Sequence, residues 1–76
     1  MTTYRMTFER IGRSRPEPLT ATAEHPEILA DEIFRYARPL LASRDVVVVV
    51  DMEAMTGNIF CGFQSGGRFT IAEVAP

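Results

Sequence analysis

The chain has 76 residues, a net charge of −2 and a pI near 5.2, a length that holds one domain and lies near the lower limit for burying a core without disulfides or metal. Val, Ile, Leu, Phe, Met and Tyr make up 26 of the 76 residues, which excludes a disordered chain. Cys61 is the lone cysteine and the longest apolar run, Val46–Val50, is five residues against the roughly 18 needed to cross a bilayer, so no internal disulfide and no membrane span are expected.

Tyr4, Met6 and Phe8 alternate with Arg5, Thr7 and Glu9, the period-two pattern of a half-buried strand over Thr3–Ile11. Gly12 to Pro18 is a polar, breaker-rich loop, and the alternation of Leu19, Ala21 and Ala23 with Thr20 and Thr22 predicts a second strand and a hairpin. Pro26 suits the first turn of a helix, and Glu27, Asp31 and Glu32 lie near its positive end. Leu29, Ile33, Tyr36 or Ala37, and Leu40 follow the 3–4 spacing of a buried stripe, leaving Glu27, Asp31, Arg35 and Arg38 to solvent. Pro39 either kinks the helix or ends it near Arg38 with Leu40–Ser43 as a further turn; the stripe's continuation to Leu41 favours a kink.

Five consecutive valines predict a third strand, about Asp45–Glu53, buried on both faces at the centre of the sheet. Ala54–Asn58 reads as a turn, Ile59–Gln64 as a fourth strand, Ser65–Gly67 as a second turn and Phe69–Ala72 within a fifth strand. The expectation is a single α+β domain of order ββαβββ, a mostly antiparallel sheet in the order 2-1-3-4-5 with one helix on one face. One helix covers one face only, so the opposite face should carry Val47, Val49 and Phe60, more apolar than a solvated face ought to be.

Few residues offer catalytic or metal-binding chemistry. His25 and Cys61 are single copies, far short of a metal set or a nucleophilic dyad, and read as a helix-start residue and a core thiol. Asp51 and Glu53, two apart on a strand, would share a face, yet acids at a strand end ordinarily serve solubility. Ser65–Gly67 matches no phosphate-binding loop. No catalytic residue, cofactor or metal is expected.

Charge is unevenly spread. Residues 1–15 hold four Arg and one Glu, and the remainder holds four Arg and nine acids. Arg5, Arg10, Arg13 and Arg15 therefore form a candidate phosphate-contacting set, opposed by the acidic balance of the whole. Tyr4, Phe8, Phe60, Phe63 and Phe69 all fit buried positions, which leaves no separable stacking platform.

The stretches TYRMTFERIGR (residues 3–13) and RYARPLLASRDVVVVVD (residues 35–51) resemble a group of small actinomycete proteins, some from phage-like or plasmid-like elements. The resemblance implies no activity, cofactor or site residue. It agrees with a basic set made wholly of Arg and with a bacterial cytoplasm. The leading expectation is a non-enzymatic interaction module that self-associates or binds a protein through its open sheet face or an edge strand. The alternative is a nucleic-acid-binding accessory protein.

Overall fold

The computed structural model describes residues 2–41 and 45–74. In chain order these form β1 (Thr2–Ile11), β2 (Leu19–Ala23), α1 (Pro26–Ala37), a 3-10 turn (Arg38–Leu40), β3 (Val46–Asp51), β4 (Thr56–Cys61) and β5 (Gln64–Glu73). The five strands make one antiparallel sheet, ordered β2-β1-β5-β4-β3. The α+β class and the single helix agree with the sequence.

The expected order 2-1-3-4-5 does not hold: the meander is inserted the other way round, with β5 against β1 and β3 at the edge. Both arrangements keep every neighbour antiparallel, because β3 and β5 run in the same direction. Length separates them. β1 and β5 are ten residues each, whereas β3 has six, so the β1–β5 ladder satisfies more backbone groups. The valine run is therefore an edge strand whose Val46 is buried while Val47 and Val49 are exposed.

Two irregularities set the faces. In the β1–β5 ladder Phe8 pairs with Phe69 but Arg10 pairs with Arg68, so Glu9 is the extra residue of a bulge. That shift explains why Ile11 is fully buried on the same face as Met6 and Phe8, against simple alternation. In the β4–β5 ladder Ile59 pairs with Gly67 and Phe60 with Ser65, which makes Gly66 the extra residue. Ser65–Gly67, expected as a turn, thus belongs to β5. The reversal lies instead at Gly62 and Phe63, where Gly62 has φ 64 at the first position of a two-residue hairpin turn, a conformation open to glycine.

The helix lies over the concave side of the sheet, its backbone closest to the two edge strands β2 and β3. The sheet therefore curls around α1. Leu29, Ile33 and Ala37 are buried against Met6, Phe8, Ile11, Ala23, Val46, Ile59, Phe69 and Ile71. Phe8 stands between Tyr36 and Phe69, with ring centroids 5.5 Å from each, a separation at which tilted aromatic pairs attract. The Tyr36 hydroxyl donates to Glu17 O at 2.8 Å, tying the helix to the β1–β2 loop.

Pro39 ends α1 rather than kinking it. The last helical bond at the cap runs from Arg38 N–H to Phe34 O, and the chain then tightens into the 3-10 turn closed by Leu41 N–H to Arg38 O. Proline has no N–H to extend the ladder. Leu40 consequently points outward, while Leu41 packs against the core. Residues 42 and 43 of the expected further turn lie outside the described residues. Among the described residues no helix is long and apolar enough to cross a membrane.

Gly57 sits beneath the Phe69 ring. A Cβ there would run into that ring and approach Val49 O to 2.7 Å, whereas a Cβ at Gly62 would meet nothing closer than 3.8 Å. Gly57→Ala is therefore expected to cost roughly 2 kcal/mol or more by overpacking, and Gly62→Ala about 1 kcal/mol through its left-handed backbone alone. Urea unfolding midpoints of the two variants check this ranking, and an equal cost would refute the packing argument at Gly57.

Candidate functional site

The convex face of the sheet carries no helix, and the strand registers define its rows. Reading from β1 towards β3, one row is Thr7, Thr70, Thr56 and Asp51; the next is Arg10, Arg68, Asn58 and Val49; beyond it lie Ser65, Phe60 and Val47. Towards the other end, Arg5 lies between Thr20 and Ala72. The face is thus divided into an apolar strip on β3 and β4 and a half made of arginine and threonine on β2, β1 and β5.

Val47, Val49 and Phe60 are 52%, 47% and 37% exposed. Val47 is the direct cross-strand partner of Phe60, which brings the two side chains together on the strip. All three expected residues therefore meet on the open face. They lie at its border, because β3 is the edge of the sheet.

Of the four arginines singled out from the sequence, Arg5 and Arg10 project from the open face, while Arg13 and Arg15 sit exposed in the β1–β2 loop. The sequence reading missed Arg68, which the β1–β5 register sets directly opposite Arg10. Arg10 Nη1 donates to Gly12 O at 3.0 Å. Among the described residues no carboxylate reaches Arg5, Arg10 or Arg68 within ion-pair distance; the pair formed is Arg35 with Glu32 at 3.6 Å on the helix. Two like charges face each other across neighbouring strands, an arrangement that weakens a sheet.

Phe63 was also missed. It was expected in the core, yet at the tip of the β4–β5 turn it is wholly exposed. The usable signal was Gly62: placing the two-residue turn there, rather than at Ser65–Gly67, puts Phe63 at the tip. Phe60 is exposed as well, so of the five aromatics expected inside, Phe8 and Phe69 are buried and Tyr4 is partly buried.

The other candidates separate. His25 is the exposed N-cap of α1, and Cys61 is half-buried at the opposite end of the sheet, where β4 runs into its turn. Asp51 and Glu53 do not share a strand face, because β3 stops at Asp51. The Asp51 carboxylate accepts the N–H groups of Glu53 and Ala54, both at 3.0 Å, and so starts the turn in which Met55 adopts φ 56. Among the described residues there is no group of three His, Cys, Asp or Glu side chains able to hold a metal ion. A cleft at the start of α1, lined by Tyr4, His25, Leu29 and Met52 among others, is large enough for one water but not for a cofactor.

Comparison with protein-family models, curated proteins and solved structures finds no match.

Because Arg68 opposes Arg10 with no ion-paired carboxylate among the described residues, Arg68→Thr should leave stability unchanged or raise it by a few tenths of a kcal/mol. Thermal melts at low and high salt test this. The gain should shrink as salt screens the repulsion, and a clear loss of stability would show that the Arg68 side chain packs favourably.

Proposed function

We propose that this chain is a non-enzymatic interaction module of a bacterial cytoplasm that forms a homodimer through the apolar strip of its open sheet face. The observation that carries the reading is the contiguous exposure of Val47, Val49 and Phe60 on adjacent strands. A core this small adds little net stability, so burying that strip against a second copy stabilises a 76-residue chain disproportionately. An isologous contact needs no other molecule, since one self-complementary patch serves both sides.

Electrostatics favour the face over the edge. Antiparallel pairing of two β3 strands centred on Val48 would set Asp45 of one copy opposite Asp51 of the other, twice, and like charges directly opposite are unfavourable. Full overlap of the two open faces is also disfavoured, because it would bury Arg5, Arg10 and Arg68, with which no carboxylate among the described residues forms an ion pair. An offset sandwich that overlaps only the β3–β4 strip avoids both. The all-arginine basic set and the unpaired thiol of Cys61 support the bacterial, reducing setting.

Light scattering over a concentration series is expected to report twice the 8.5 kDa chain mass. Val47→Lys with Val49→Lys should return a monomer with an unchanged circular dichroism spectrum, since both side chains point to solvent in a single chain. A wild-type protein that stays monomeric throughout would remove the proposal.

A further inference from the structure

The charge asymmetry of the sequence becomes an asymmetry of position once the strands are placed. Asp51, Glu53, Glu73, Glu24 and Glu27 gather where β3 and β5 end and α1 starts. The opposite end holds the β1–β2 loop and the β4–β5 turn, joined by Gly12 N–H donating to Gly66 O at 2.7 Å. Arg10, Arg13, Arg15 and Arg68 lie towards that end, against Glu9, Glu17 and Asp45. The molecule is 35 Å long, which matches ten-residue strands at about 3.3 Å per residue. A separation of that order exceeds the Debye length of about 8 Å at physiological salt, so the distant acids do little to repel an anion at the arginine end.

Three features at this end point to one kind of ligand. Arg10 and Arg68 are cross-strand partners on the open face, and among the described residues no carboxylate forms an ion pair with either, a placement suited to phosphate oxygens. Arg13 and Arg15 extend the positive surface along an exposed loop. Phe63 holds its ring entirely in water at the turn tip, 109% exposed, and a ring so placed offers a flat stacking partner. An acidic peptide would use the arginines and leave the ring idle, and a duplex has its bases already stacked. A single strand uses both.

We infer that the arginine end of the open face binds single-stranded nucleic acid, with Arg10 and Arg68 on the phosphates, Arg13 and Arg15 adding contacts from the loop, and Phe63 stacking on a base. The site lies beside the apolar strip and does not depend on self-association. Its sequence preference is weak, because guanidinium–phosphate contacts and base stacking do not read base edges.

The test is fluorescence anisotropy of the full-length protein with a labelled oligothymidine of about twelve nucleotides, a duplex of equal length and a polyglutamate peptide. The oligothymidine is expected to bind best, and to weaken steeply between about 50 and about 200 mM salt. Arg10→Ala with Arg68→Ala should flatten the slope of log K against log salt by about 1.4, twice the 0.7 per single-strand phosphate contact. Phe63→Ala should weaken binding roughly fivefold to a hundredfold and leave that slope unchanged. All three side chains are solvent-exposed, and circular dichroism confirms that the variants fold. No binding at low salt overturns the inference, as does equal affinity for duplex or polyglutamate, or a salt slope indifferent to the double arginine variant.

Discussion

The β1–β5 ladder is the constraint from which the rest of this structure follows. Two ten-residue strands pair along nearly their whole length, with the bulge at Glu9 shifting the register between Phe8 and Arg10. Gly67 makes the close approach possible, since a Cβ at that position would collide with the Arg10 carbonyl oxygen. Met6, Phe8, Ile11, Phe69 and Ile71, five of the buried core residues, come from this one pair of strands. Once β5 occupies the place beside β1, β4 and β3 can only extend outward, and the valine strand becomes an edge.

That placement also explains the helix. Because β2 and β3 lie at opposite edges and run in the same direction, the connection between them crosses the entire sheet. The helix fills the hollow of the curl, its backbone nearest to both edges, and its Leu29–Ile33–Ala37 stripe reaches the central strands through their side chains. A single twelve-residue helix suffices for one face of five strands only because the sheet bends around it. The other face bends away, and whatever binds it meets a convex surface.

On that convex surface the row-by-row chemistry is set by cross-strand register. Val47 meets Phe60 and Arg10 meets Arg68 because of pairings between residues distant in sequence. The apolar strip is therefore a product of the β3–β4 ladder and the arginine pair a product of the β1–β5 ladder. The first is the surface proposed to meet a second copy, and the second the surface proposed to meet phosphates. Asn58, between Arg68 and Val49, and Ser65, beside Phe60, are the polar residues that separate them.

Much of the local structure was legible in the sequence. Alternation located β1 and β2, Pro26 and the Leu29–Ile33 spacing located the helix, and the surplus of apolar residues beyond one helix-covered face pointed to Val47, Val49 and Phe60 on the open face, although the valine run by itself read as a strand buried on both sides and Phe60 as a core aromatic. These readings depend on interactions within a few residues, where periodicity reports burial directly. What the sequence left open was decided by contacts between distant segments. Strand order was ambiguous because both directions of the meander satisfy antiparallel pairing, and only strand length and the fit of Gly67 against Arg10 distinguish them. Arg68 and Phe63 escaped notice for a related reason: a bulge at Gly66 and a turn at Gly62 move side chains between faces, and a one-residue shift in register changes which face a side chain occupies. Composition and local pattern determined that this chain folds as a small α+β domain with an open face, while the long-range pairing of β1 with β5 decided what that face displays.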